Sequence, residues 1–256
     1  MYAVITGASS GIGTQFAKRM AKEGYDLILV ARRKEKLQKL SDSINNKYKD
    51  IKCEVFTADL LQLDECQRLS DHLEEKDVRV FINNAGFGDC GSFFDTDIAK
   101  EIGMIDVNVR AVHFLTKKMV QQMRKKDRGY ILNVASSAGL IPAGPYMATY
   151  YATKAYVASL SRAVAEELHQ KGSHIYVGCL CPGPVDTEFN DVANVNFALK
   201  GISAEYCANY AIDMMKKKKV VIVPTLRMKL ATTCGRFIPQ SLYIKMVSHQ
   251  QKKKIG

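Results

Sequence analysis

Short apolar runs alternate with amphipathic stretches almost from the first residue to about residue 223, and this alternation is the tightest constraint on the fold. The apolar runs are Tyr2–Thr6, Asp26–Val30, Ile51–Phe56, Val78–Ile82, Tyr130–Ala135, His174–Leu180 and Val220–Val223. Helical periodicity occupies about 12–24, 34–48, 62–75, 99–124, 150–171 and 204–216. Runs that are apolar on both faces and joined by helices need cover on both sides, which a parallel sheet between two helical layers provides. The expected class is therefore α/β, with a doubly wound seven-stranded parallel sheet. No low-complexity linker or internal repeat interrupts 1–223, so one domain is expected there. Residues 184–203 break the pattern as a long crossover, where a loop over an active site is expected. A basic extension, 224–256, follows the last strand.

Charge is unevenly placed. Between Lys216 and Gly256 there are eleven Lys or Arg and no Asp or Glu, which leaves 26 basic and 26 acidic residues in the rest of the chain. A neutral body with a basic end argues against a nucleic-acid-binding surface spread over the molecule. No unbroken run of 18 apolar residues exists, so no spanning helix is expected, and apolar strand residues begin at Tyr2, which argues against a secretory leader. The seven Cys are scattered, and Cys179 and Cys181 would share one face of a strand, poor geometry for a disulfide or a metal site. Reduced thiols, a cytoplasmic location and no metal are the expectations.

The segment Thr6-Gly7-Ala8-Ser9-Ser10-Gly11-Ile12-Gly13 joins the first strand to the first helix. Gly7 permits the tight turn, Gly11 lets backbone approach a pyrophosphate, and Gly13 lets helix and sheet pack closely. The helix amino end, with Ser9, Ser10 and Ile12, supplies N–H groups and partial positive charge for phosphates. A Rossmann fold is the expectation. The second strand ends in Arg32-Arg33 rather than an acid, which suits the 2′-phosphate of NADP and not the free hydroxyl of NAD; Arg32 is the first choice and Arg33 assists. Asp59 and Leu60, after the third strand, are placed to meet the adenine edge.

Asn83-Asn84-Ala85-Gly86 follows the fourth strand, on the same sheet edge as the glycine loop. The fifth strand runs into Ser136-Ser137, and a helix then opens with Tyr150-Tyr151-Ala152-Thr153-Lys154. Tyr150 and Lys154, four apart, share a helix face. A phenol is a poor proton donor at neutrality, and an ammonium beside it would lower its pKa toward the working range. A serine hydroxyl across the pocket could hold a carbonyl oxygen while hydride from a nicotinamide reaches the carbon. Counting on from Asn133 gives Ser136 as that serine, whereas counting back from the tyrosine gives Ser137; Ser136 is preferred because the strand fixes register and a loop absorbs an insertion easily.

These residues resemble the short-chain dehydrogenase/reductase family over about residues 1–223. The resemblance rests on Thr6–Gly13, Asn83–Gly86, the Asn108-Val109 pair, the Ser136 region, Tyr150 to Lys154 and Pro182-Gly183. It implies a catalytic group of Asn108, Ser136, Tyr150 and Lys154, with Asn108 helping to hold a proton-relay water. It also implies that Asn84, Ala85, Gly86, Tyr150 and Lys154 touch the cofactor, and that Pro182, Gly183, Val185 and Thr187 grip the nicotinamide carboxamide. NADP(H) is the implied cofactor, and a homodimer or homotetramer the implied assembly, although the end of the chain departs from that of the familiar tetramers.

Phe87, Phe93, Phe94, Leu140, Ile141, Tyr146, Met147, Phe189 and Phe197 are candidates to line a substrate pocket, and they suit an apolar ketone or alcohol. The carboxyl end is similar to that of family members acting on steroid or long-chain acyl ketones. The leading expectation is a reductase of a bulky, steroid-like ketone; the alternative is a 3-ketoacyl thioester reductase, and the non-enzymatic alternative is a dinucleotide-binding regulator. The basic extension either forms two short helices over the pocket, separated at Pro239, or makes peripheral contact with a membrane.

Overall fold

A computed structural model describes residues 1–189, 193 and 201–252. The first half of the chain folds as β1 (Tyr2–Thr6), α1 (Gly11–Lys22), β2 (Asp26–Ala31), α2 (Lys34–Lys47), β3 (Cys53–Thr57), α3 (Leu63–Leu73) and β4 (Val78–Asn83). The second half adds α4 (Ile98–Ile105), a π-helical turn (Asp106–Ala111), α5 (Val112–Arg124), β5 (Tyr130–Val134), α6 (Ala148–Gln170) and β6 (Tyr176–Leu180). Two short strands, β7 (Val185–Asp186) and β8 (Ile202–Ser203), precede α7 (Ala204–Lys216) and β9 (Val221–Ile222), and the chain ends in α8 (Leu226–Cys234) and α9 (Gln240–Lys252).

Seven strands form one sheet in the order β3-β2-β1-β4-β5-β6-β9, with every pairing parallel. Alternation along β1 divides the core. Ala3 and Ile5 point to the layer of Phe16, Met20, Leu37, Ile44, Cys207 and Met215, from α1, α2 and α7. Tyr2 and Val4 point to Leu69, Leu73, Leu115 and Met119, from α3 and α5. The doubly wound Rossmann fold expected from the sequence is the fold observed. Its strand order reverses between β1 and β4, so the carboxyl ends of these two strands open a crevice where such folds bind ligands.

Three of the departures from the sequence reading have a clear local reason. Ile51 N–H is drawn into a turn on Tyr48 O at 3.2 Å, and β3 starts only at Cys53. His174 N–H donates to the Asp127 carboxylate at 3.2 Å, which keeps it out of the ladder, so β6 starts at Tyr176. The single helix expected over 99–124 is interrupted by the π-helical turn, a departure that recurs at functional sites. The long crossover leaves and returns through the parallel β7–β8 pair, Val185 opposite Ile202 and Asp186 opposite Ser203. Among the described residues no helix is long and apolar enough to cross a membrane.

Candidate active site

The glycine loop is held by β4's exit. Thr6 Oγ1 accepts from Asn84 N at 2.9 Å and Ala85 N at 3.0 Å, while Asn84 Nδ2 donates to Thr6 O and Gly7 O at 2.9 and 3.2 Å. Gly7 and Gly11 take φ of +65° and +55°, where a side chain is strained. A Cβ on Gly13 would lie 2.2 Å from Gly7 O, so α1 can approach β1 only because that residue is glycine. Gly13 thus shapes the loop without lining the crevice. Ser10 caps α1 with no side-chain bond to the first turn, which leaves those N–H groups directed at the crevice.

Behind the crevice a buried polar network ties the central strands to the helices. Asn83 Nδ2 donates to Asn133 Oδ1 at 3.1 Å and Thr116 Oγ1 at 3.2 Å, and Asn133 Nδ2 donates to Ser161 Oγ at 3.0 Å. This network fixes the depth of α6 against β5. Lys154 Nζ, buried, then donates to Val134 O at 2.9 Å. Asn108 is fully buried in the π-helical turn: its amide donates to Phe87 O at 2.8 Å and Thr153 Oγ1 at 3.2 Å, and its Oδ1 accepts from Phe87 N at 3.1 Å. A Cβ on Gly86 would meet Asn108 Oδ1 at 2.8 Å and Lys154 Nζ at 3.3 Å, so the three converge.

Ser136 is close enough to Tyr150 to draw its phenol pKa down, and its Oγ accepts from Ala138 N at 3.1 Å; Ser137 instead begins a 3₁₀ turn and donates its N–H to Pro182 O at 2.8 Å. The geometry therefore brings Ser136 to the tyrosine. The expected lowering of the phenol is not found. Burial pushes Tyr150 up to about 12, only partly offset by Ser136, and Lys154 Nζ stands 5.8 Å from the centre of the phenol ring. Burial also takes Lys154 down, to about 8.

A cavity of about 700 Å³ runs along this edge. Gly7, Ser9, Ser10, Gly11, Ile12, Arg32, Arg33, Asp59, Leu60, Asn84, Ala85, Gly86, Ser136, Tyr150, Lys154, Pro182, Gly183, Val185 and Thr187 all border it. Asn108 lies behind its wall. Arg33 spans the mouth of the glycine loop: Nη2 donates to Ser9 Oγ at 3.1 Å and Nη1 to Glu188 at 2.9 Å, and Lys36 Nζ joins the same carboxylate at 2.8 Å. The exposed Arg32 borders the cavity beside it. Backbone N–H groups at a helix start, close glycines and two guanidiniums fit a dinucleotide bearing a 2′-phosphate.

Of the pocket candidates, Phe87, Ile141, Met147 and Phe189 border this cavity. Phe93 and Tyr146 line a small adjoining recess that shares Met147 and Tyr150 with the cavity, whereas Phe94 is 98% exposed and Leu140 packs against the cluster of Val112 and Val157, so these last two are corrections. Hydropathy marked them as apolar but carried no sign of direction. Phe197 lies outside the described residues. The sequence reading missed Tyr151 and Gln251: Gln251 Nε2 donates to Tyr151 Oη, and both border the cavity. The carboxyl-terminal helices do cover the pocket. Met228, Ala231, Tyr243, Met246 and Val247 supply its outer wall, and a Cβ on Gly183 would meet Met228 Cγ at 2.8 Å. Thr225, whose side chain accepts from Met228 N, starts α8, and α9 begins immediately after Pro239.

A Rossmann sheet with this loop and this tyrosine–lysine helix defines an oxidoreductase of the dinucleotide-dependent class. The model of the short chain dehydrogenase family matches residues 1–196, and the chain belongs to that family. It is 31% identical over 223 residues to hydroxysteroid dehydrogenase-like protein 1 of Gallus gallus, covering 85% of this chain and 66% of that protein. It is 31% identical over 202 residues to very-long-chain 3-oxoacyl-CoA reductase-B of Danio rerio, covering 75% of this chain and 61% of that one. The chain thus spans about two thirds of the length of these relatives, or less. A solved short-chain dehydrogenase from Sphingobium yanoikuyae, in complex with NADPH, superposes with a TM-score of 0.84 at 29% identity, covering 94% of each chain.

Proposed function

We propose that the protein is an NADPH-dependent reductase of long-chain 3-oxoacyl thioesters. The observation that carries this reading is the continuity of one cavity, from the phosphate-binding helix end, past the Ser136–Tyr150 pair, to an outer wall of Met228, Tyr243, Met246 and Val247. A polar reaction point backed by an apolar wall suits a carbonyl on a long aliphatic chain better than a charged sugar. The names of several relatives, very-long-chain 3-oxoacyl-CoA reductases of animals, plants and fungi, support the thioester over the steroid-like ketone expected first from the sequence.

NADPH, when bound, supplies a hydride to the carbonyl carbon. Ser136 Oγ donates a hydrogen bond to the carbonyl oxygen and fixes its position. Tyr150 Oη, beside Ser136, gives the same oxygen its proton as the carbon–oxygen double bond becomes a carbinol. The Lys154 ammonium, donating to Val134 O, stabilises the phenolate that this leaves. Asn108 is a positioning residue, fixing Phe87 and Thr153 around that ammonium. Arg32, with Arg33, receives the 2′-phosphate of the cofactor.

A substrate panel with saturating NADPH tests the reading. Long-chain 3-oxoacyl thioesters should turn over with at least tenfold higher kcat/KM than short ones or ketosteroids. Preference for ketosteroids would keep the reductase and replace its substrate. Bulky ketones are the second reading, favoured by the hydroxysteroid dehydrogenase-like relative.

A further inference from the structure

Helices α8 and α9 are apolar on two sides. One side closes the cavity through Met228, Tyr243 and Val247. The other presents Leu226, 71% exposed, Leu230, 55%, Phe237, 88%, and Leu242, 51%. Leu226 and Leu230, four apart, form one stripe on α8. Exposed basic residues stand among them, Lys229, Lys245 and Lys252, while Arg227 borders the cavity. No acidic residue occurs from Pro224 to Gly256. Lys216–Lys219 do not belong to this surface. They enter β9 at the amino edge of the sheet, away from the cavity, and Lys216 is paired with Glu23 at 2.6 Å.

We propose that the outer face of α8 and α9 is a docking surface for an anionic lipid bilayer, with the cavity held at the lipid boundary. Large apolar side chains enter the headgroup region while Lys and Arg stems lie along it and leave their charges at the phosphates. Charge decides against another exposed apolar stripe, Ile98, Ile102 and Ile105 on α4, which follows the exposed Asp95 and Asp97 and would be repelled; Asp106 beside it is paired with Arg110. An acidic protein partner would satisfy the basic residues but leave Phe237 and Leu226 without a reason to be apolar. Because the same two helices wall the cavity, a long acyl chain can pass between bilayer and site with little exposure to water; that consequence rests on the thioester reading, while the surface itself does not.

The full chain, loaded with NADPH, is sedimented with vesicles of phosphatidylcholine alone and of phosphatidylcholine mixed with phosphatidylglycerol. It should follow the anionic vesicles and be released by high salt. The double variant Leu230→Asp, Phe237→Asp, remote from the cavity wall, should lose at least tenfold in partitioning and keep its NADPH affinity by nicotinamide fluorescence. Lys245→Gln alone should cost about fivefold. Failure of the wild-type chain to sediment, or sedimentation of the double variant like wild type, overturns the proposal. So does light scattering in which the double variant converts a dimer to a monomer without any vesicle binding, since the face would then serve a second copy. Turnover of soluble short-chain thioesters without vesicles reads the activity separately, so either idea can fail without the other.

Discussion

At the scale of single residues, the site sets two burial effects against each other. Tyr150 is held protonated, up at about 12, and Lys154 is drawn down to about 8. Tyr150→Phe removes the proton donor but keeps the ring, so kcat should fall by roughly a hundredfold or more while NADPH still binds. Near-normal turnover would show that another group donates the proton. Lys154 has its folded pKa below that of a free lysine, so it carries its charge below about pH 8 and loses it above. The reduction rate should therefore decline as pH rises through about 8, and Lys154→Arg, which stays charged, should move that decline upward. A flat profile through that range would remove the ammonium from the mechanism. Glu188 makes a different kind of prediction. Its carboxylate engages both Lys36 and Arg33, which reaches the glycine loop at Ser9, and so competes with a phosphate for Arg33. Both ends of these pairs are close to half exposed and weak. Glu188→Gln should tighten NADPH by about twofold to fivefold and leave NADH unchanged, measured by paired fluorescence titration. Equal changes for the two cofactors would assign Glu188 to the loop's stability alone.

At the scale of elements, the sequence was legible where period and loop chemistry agree. The seven strands, the glycine turn and the tyrosine–lysine helix follow from side-chain alternation and from residue types that few other structures need. The π-helical turn was not legible, because an extra residue per turn leaves the apolar pattern of 99–124 nearly intact. Nor was Phe94, which is apolar yet faces outward after β4, nor the Tyr151–Gln251 contact, which joins residues a hundred positions apart. The depression of Tyr150 expected from Lys154 was also misread: spacing put the two on one face, but burial outweighs an ammonium that points at Val134 O. The α1–β1 contact gives the element-scale prediction. Gly13→Ala places a methyl 2.2 Å from Gly7 O, where backbone must move. Stability should fall by about 1–3 kcal/mol in urea unfolding, with dinucleotide affinity lost in parallel as the loop shifts. Retained affinity in a destabilised variant would mean that the phosphate loop does not depend on this packing.

At the scale of the whole molecule, two exposed apolar stripes among the described residues differ in electrostatic character, and they call for different occupants. The carboxyl-terminal face is basic. The α4 face is flanked by acids and carries Ile98, Ile102 and Ile105 at spacings of four and three, a stripe that a helix presents on one side. Such a stripe is suited to its own copy across a two-fold axis, where each isoleucine meets its symmetry mates and the acids lie at the wet rim. The expected state is a homodimer or a tetramer built from it, with a light-scattering mass of about two or four times 28.5 kDa. Ile102→Asp would bury a carboxylate in the middle of that contact and should bring the mass to the monomer, with α4 and the site behind it intact because Ile102 faces outward. The tyrosine helix α6 packs on α4, so loss of the partner should also raise KM for the ketone more than it lowers NADPH affinity. A wild-type chain that stays monomeric at every concentration would leave the stripe without this role and place α6 under the control of its own core alone.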